Sequence, residues 1–291
     1  MSLPIAFTNE DKEKAREQYK LKDVPFYKPQ GSEIILFENA IETKQAVALL
    51  GPTGCGKSRF LEYMAAKHER PYIIIPGEES VDAGTVVGSP YVIGNSSVYM
   101  PGPLFVGCKI GAIVGLEEVL EMKKDVLPFL HSLTDKRRRL VINDINTVIN
   151  PDEEEKGFML AIAFNPGSAY QTALNTFPKP SFIQRFTAIQ FKYARGDAGV
   201  EIIMKEAPGV SEKVARALDR IAIEVDKMLE NGDAPNMKES IGYHALIKAA
   251  QQIEKKTPPI VACNACISSV LSHDKEVVNV VDDLVRKFLG V

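Results

Sequence analysis

The chain has 291 residues, enough for two domains at ~150 residues each. Apolar residues make up 45% and charged residues 25%, the balance of a globular protein, which excludes a disordered or fibrous chain. A net charge of -3 provides no overall positive field for nucleic acid or anionic lipid.

No run of eighteen apolar residues is present, and the first residues turn charged at once ("NEDKEKAREQYKLK") without an apolar signal core. A cytoplasmic protein without a membrane span is therefore expected. Asn9 to Lys22 predicts a polar helix capped by Asn9, with Glu10 and Asp11 in its first turn. "VPFYKPQGSE" is a Pro/Gly-rich loop, and Ile34 to Ala40 predicts a short helix. Ala46 to Gly51 ("AVALLG") is an unbroken apolar run that stops at glycine, the pattern of a strand buried on both faces of a parallel sheet. Tyr72 to Ile75, Ala112 to Leu116 and Met159 to Phe164 repeat it, and Thr187 to Phe191 does so more weakly. "SRFLEYMAAKH" places Phe60, Leu61, Met64 and Ala65 at helical spacing between the first two runs. Buried strands alternating with helices predict an α/β fold with a mainly parallel sheet. Val86 to Pro103 alternates and carries Gly, Pro, Asn and Ser, predicting an inserted β-hairpin. After about Arg195 only 3.6-period amphipathic stretches follow, so an all-helical C-terminal unit is expected, with Asn231 to Asn236 as an internal loop.

Gly51 to Ser58, "GPTGCGKS", satisfies GxxxxGK[ST] in full, with a buried strand entering it and an amphipathic helix leaving it. This is the pattern of a phosphate cradle formed by Gly51, Pro52, Thr53, Gly54, Cys55, Gly56, Lys57 and Ser58. Glycines let consecutive backbone N–H groups face phosphate oxygens, and the helix N-terminus adds partial positive charge. Lys57 is expected on the β/γ-phosphates and Ser58 on a Mg²⁺ ion. "AIVGLEEV" ends its apolar run in two acids. Glu117 is assigned to support the Mg²⁺ ligands and Glu118 to orient and polarise water. Asn165 ends "MLAIAFN" and is expected at a strand tip between the acid and the γ-phosphate; a plain Asn-Pro-Gly turn is the alternative. Arg185 precedes the last strand and is a candidate to reach the nucleotide of a neighbouring subunit.

Other features carry less. Lys136 to Arg139 is the densest basic cluster, either at a pore or subunit face or in a solvated loop. Cys263 and Cys266 form a CxxC without the second pair a zinc ribbon needs, so two thiols in a packed helix are expected. His68, His131, His244 and His273 show no metal spacing.

Together, "FYKPQGSEIILFENA", "LLGPTGCGKSRFLEYMA", "VVGSPYVIG", "MPGPL", "GAIVGLEEV", "HSLTDKRR", "AFNPG" and "KPSFIQRF" resemble the MoxR-type AAA+ ATPases, specifically the CbbQ/NirQ/NorQ branch. The resemblance is strong from Pro25 to about Phe191 and weak in the helical tail. It implies a P-loop NTPase (AAA+) core over residues 25–194 carrying the hairpin at 86–103. A polar helix at 1–24 precedes this core and a helical lid at 195–291 follows it. It further implies homo-hexameric rings, ATP with Mg²⁺ between subunits, and remodelling or activation of a client metalloenzyme or Rubisco. A von Willebrand factor A domain protein is the implied partner. Position by position, it makes Gly51 to Ser58 the Walker A loop, Glu117 and Glu118 the Walker B acids, Asn165 sensor 1 and Arg185 the arginine finger.

The chain departs from the branch at three places. Glu117 stands where Asp is usual, Ile183 where a second arginine is frequent, and Ser240 to Gly242 ("SIG") where the lid's sensor 2 arginine normally lies. These departures motivate an alternative: a scaffold gated by nucleotide but poor in hydrolysis. A nucleic-acid-dependent helicase or loader is disfavoured by charge, and a small-molecule kinase by the expected subunit-shared site.

Overall fold

The computed structural model describes residues 3–153, 157–166, 180–233, 236–237 and 239–290. The predicted loop at 231–236 lies partly outside them. The chain forms two compact units, residues 1–51 with 57–190 and residues 52–56 with 191–291.

The first unit is built on a five-stranded parallel sheet: β1 (Val47–Leu50), β2 (Tyr72–Pro76), β5 (Ile113–Glu117), β8 (Met159–Phe164) and β9 (Thr187–Gln190), in the order β2-β5-β8-β1-β9. Every residue of β1 and β8 is buried, as unbroken apolar runs require in a sheet covered on both faces. The edge strands are less apolar because one side meets water: Ile74 of β2 is 44% exposed, and Ala188 and Gln190 of β9 are exposed. The helix Lys57–Lys67 covers the sheet with Phe60, Leu61, Met64 and Ala65, the four residues its spacing selects.

The predicted hairpin is present as antiparallel β3 (Gly88–Ile93) and β4 (Ser96–Pro101), with Tyr91, Val92 and Ile93 exposed near its tip. The chain's start pairs with it: Ala6 N donates to Tyr99 O at 2.9 Å and Tyr99 N to Pro4 O at 2.8 Å. The following helix is Asn9–Gln18, shorter than predicted and capped one residue earlier. Thr8 accepts from Asp11 N, and the Asp11 carboxylate accepts from Thr8 N at 2.9 Å, a reciprocal capping box. It belongs to the first unit. Glu33, buried at the start of the helix Glu33–Glu42, accepts from Tyr27 Oη (2.9 Å) and Gln30 N (2.7 Å) and ties down the Pro/Gly loop.

A second short hairpin, β6 (Leu140–Ile142) with β7 (Thr147–Ile149), was not expected from sequence. Within the basic cluster Lys136, Arg137 and Arg139 are exposed, whereas Arg138 is turned inward. It is buried at 9% exposure, its Nη2 donates to Phe158 O at 2.7 Å, and its Nη1 lies 3.4 Å from Asp152 Oδ1. A guanidinium carries enough donors to satisfy such a buried site, and here it is a structural strut.

The second unit is helical. Helix Glu212–Asn231 buries Ala215, Leu218, Ile221, Ala222 and Val225. Ser211 caps its start and Gly232 (φ 73°) ends it. It packs against helix Lys275–Leu289, which contributes Val277, Val281, Leu284 and Val285. Helix Tyr243–Glu254 adds Leu246, Ala249 and Ala250. Cys263 is buried and Cys266 half-buried where the chain widens into a π-turn, and both thiols are free. That turn is pinned by Asp282, which accepts from Asn264 Nδ2 at 3.0 Å and Ser268 Oγ at 2.6 Å.

Candidate active site

β5, β8 and β1 are neighbours and parallel, so their C-terminal tips lie side by side, where open parallel sheets hold their ligands. The register sets Glu117 beside Ala163 and Leu50 beside Phe164. Glu117 and Glu118, Asn165 and the GPTGCGKS segment therefore leave the sheet from one edge.

Lys57 opens its helix and is 8% exposed; its Nζ donates to Gly51 O at 2.8 Å. Ser58 Oγ donates to Glu117 Oε1, so the hydroxyl and the first acid are already aligned on each other. Glu118 has φ 43°, a left-handed conformation that costs a residue with a Cβ roughly 1–2 kcal/mol. Strain of this kind persists where the surroundings fix the geometry. Its carboxylate accepts from the Asn165 backbone N–H and feels the charge of Lys57. Burial raises the Glu118 pKa above the ordinary carboxylate range, with Lys57 pulling the other way. The acid thus sits in a poorly hydrated place where its charge is held by Lys57 and one N–H.

Gly77, just beyond β2, makes room for this strand tip. A Cβ there would lie 2.3 Å from Glu118 O and 2.5 Å from Glu117 O. Sequence reasoning did not single it out, since a Pro-Gly pair after an apolar run reads as a turn and nothing local signals the close approach.

Gly54 (φ 72°) and Gly56 (φ 102°) take positive φ, as a phosphate cradle asks of its glycines, and no atom lies within 4 Å of a Cβ built on Gly56. Cys55 is buried and Thr53 exposed. The nearby donor set of hydroxyl and carboxylate oxygen suits a hard cation. Among the described residues no group of three His, Cys, Asp or Glu could form a metal cage. Mg²⁺ does not need one, because it is commonly held by one or two protein oxygens together with substrate phosphates. The residues present fit Mg²⁺ accompanied by a triphosphate.

Two predicted features stand apart. Arg185 is exposed in the turn before β9. Its charge is felt by His131, whose pKa is lowered chiefly by burial and secondarily by Arg185. Ile183 packs against the apolar core, which explains an aliphatic side chain there.

A P-loop at the tip of an inner parallel strand, with an asparagine ending the strand beside it and an acidic pair ending the next strand over, defines a P-loop NTPase of the AAA class. The model of the AAA domain (dynein-related subfamily) matches residues 46–186, and the CbbQ/NirQ/NorQ C-terminal model matches residues 200–288. The chain is 36% identical to protein NorQ of Paracoccus denitrificans, over 92% of this chain and 95% of that one. It is 34% identical to protein CbbQ of Hydrogenophilus thermoluteolus, over 90% and 94%. To the denitrification regulatory protein NirQ of Stutzerimonas stutzeri it is 32% identical, over 92% and 94%. A point mutant of RuvB from Thermotoga maritima shares the fold, with a TM-score of 0.52 at 13% identity over 91% of this chain and 73% of that one. The chain belongs to the CbbQ/NirQ/NorQ family of AAA+ proteins. ATPase activity is the general property of that class, and no helix among the described residues is long and apolar enough to cross a membrane.

Proposed function

We propose that this chain hydrolyses ATP to ADP and phosphate to remodel or activate a client enzyme of the metalloenzyme or Rubisco type. The observation that carries this reading is the cluster at the end of the sheet: Lys57 Nζ on Gly51 O at 2.8 Å, Ser58 Oγ on the Glu117 carboxylate, and the next acid, Glu118, accepting from the Asn165 N–H. Lys57 receives the β/γ-phosphate charge, exchanging its Gly51 carbonyl for phosphate oxygens. Ser58 and Glu117 hold the metal side of the site, Ser58 by its hydroxyl and Glu117 by fixing that hydroxyl. Mg²⁺ bound there neutralises charge that builds on the phosphoryl oxygens. Glu118 accepts a hydrogen bond from the attacking water and aligns it, and Asn165 keeps the acid in register with the phosphate. Arg185, exposed in the turn before β9, serves the nucleotide of a neighbouring copy, where its planar charge stabilises the transition state. A residue supplied head to tail in this way closes a ring when the rotation permits, and the family resemblance makes that ring a homo-hexamer.

Residues 25–194 act as the ATPase core and 195–291 as the lid, working in the cytoplasm with a von Willebrand factor A domain protein. The relatives named CbbQ, NorQ and NirQ support a client enzyme. Steady-state ATPase measurements on Lys57→Ala and Glu118→Gln test the proposal: both lose activity, and unchanged rates in either end it. A second reading, a nucleotide-gated scaffold that hydrolyses poorly, is favoured by Gly242 at the sensor 2 position and by the packed Ile183. It predicts tight ATP uptake with turnover that Glu118→Gln barely changes.

A further inference from the structure

Within the helical unit a single guanidinium organises everything around the tip of the P-loop. Arg195 donates from Nε to Asp226 Oδ2 (2.8 Å) and from Nη2 to Asp226 Oδ1 (3.2 Å), Ser240 Oγ (3.2 Å) and Ile241 O (2.8 Å). Ser240 Oγ in turn donates to Asp226 Oδ1. The guanidinium carbon lies 4.3 Å from the centre of the Tyr193 ring and 5.8 Å from that of Tyr243, so both rings sit against the cation. The side chain is 13% exposed.

The two tyrosines reach the loop residues grouped with this unit. Tyr193 Oη donates to Thr53 O at 2.7 Å, and the Tyr243 backbone N–H donates to Gly54 O at 3.1 Å. Gly242 permits the second contact, since a Cβ there would lie 2.9 Å from Thr53 O. The "SIG" segment thus approaches the loop with backbone, and a side chain at its glycine would push it away.

A trans peptide is planar, with C=O and the next N–H on opposite sides. Holding Thr53 O and Gly54 O on the tyrosine side therefore turns the N–H groups of Gly54 and Cys55 the other way, the orientation a phosphate cradle needs. We propose that Arg195 is a positioning residue for nucleotide binding, setting the peptide planes of the P-loop tip through Tyr193 and Tyr243. The inference rests on the nucleotide-binding reading above and deepens it: a guanidinium one step removed from the loop does part of the lid's work in a chain with glycine at the sensor 2 position.

The test compares wild type, Arg195→Met, Tyr193→Phe and the double variant. ATP and adenosine binding are followed by calorimetry, ATPase by KM and kcat, and folding by thermal melting. Tyr193→Phe removes one hydroxyl and should raise the KM for ATP roughly 3- to 10-fold, the worth of one neutral hydrogen bond, with kcat nearly unchanged. Arg195→Met should raise it at least as much, and adenosine, which lacks phosphates, should show no such change. If the arginine acts through Tyr193, the double variant is no worse than Arg195→Met alone. Arg195→Lys should not restore the wild-type KM, because an ammonium cannot hold the carboxylate in a fork.

A lowered melting temperature with unchanged KM in Arg195→Met makes the residue merely structural and overturns the inference, as do additive effects in the double variant. Wild-type protein that takes up no ATP overturns the nucleotide reading itself, and this inference with it.

Discussion

The two units of the molecule solve different problems with charge. In the sheet unit, Lys57, Glu117 and Glu118 emerge from an apolar frame at one edge of the sheet, beyond β1 and β5 with β8 between them. In the helical unit, Arg195 lies beside the amphipathic helices and is paired locally with Asp226 at 2.8 Å. The first arrangement leaves an acid with a raised pKa that feels the charge of a lysine, a group with chemistry still to do. The second makes a rigid support. The difference suggests that losses in the sheet unit should appear as lost activity, and losses in the helical unit as lost stability or altered affinity.

The largest expected effect comes from Lys57→Ala. ATP affinity should fall by at least ~10-fold and hydrolysis should cease, because the buried cation that offsets phosphate charge is gone. A variant that still hydrolyses ATP at the wild-type rate, measured at steady state, breaks the contrast between the units.

Leu218→Ala, at a fully buried site in helix Glu212–Asn231, should cost about 2–5 kcal/mol in urea denaturation and leave the turnover number of the folded fraction intact. Gly77→Ala sharpens the same contrast from the sheet side. Its Cβ meets two backbone carbonyls that cannot swing aside, so a cost of about 1–3 kcal/mol is expected together with a fall in kcat as Glu118 is displaced.

Asp219 provides a pH test. It is 2% exposed, its Oδ2 accepts from Gly196 N at 2.8 Å, and its Oδ1 has no hydrogen-bond partner among the described residues. Burial raises its pKa, against the Gly196 N–H and Arg195. A carboxyl whose folded pKa is raised favours the fold at pH below its unfolded value, and that contribution is lost as pH climbs through the folded value. Asp219→Asn, which does not titrate, should therefore gain stability relative to wild type as pH rises above about 4, the ordinary aspartate value. An unchanged or reversed difference contradicts the assignment. The smallest effect is chemical: burial pushes the Cys263 thiol up to about 12, so Cys266 should alkylate at neutral pH while Cys263 reacts only on unfolding.

The sheet unit was legible because its signals are local. β1 and β8 are continuous apolar runs, the glycine-lysine-serine spacing lies within eight residues, and two acids end β5. The helical unit was legible only as period 3.6, which finds Leu218 and Val281 but says nothing about Arg195. That role depends on Asp226, 31 residues away, and on Tyr193 reaching a loop 140 residues earlier. The β6–β7 hairpin escaped because each strand has three residues, too few for alternation to register. The helix cap moved from Asn9 to Thr8 because Asp11 can reciprocate with Thr8, and both residues are acceptable caps by type.

The most direct test is to load Glu118→Gln and wild-type protein with labelled ATP and Mg²⁺ and follow a single turnover. The account predicts that the variant holds ATP with near wild-type affinity yet cleaves it at least ~10²-fold more slowly, because the side chain at the tip of β5 no longer accepts the water's proton. Cleavage at the wild-type rate by the variant would contradict it.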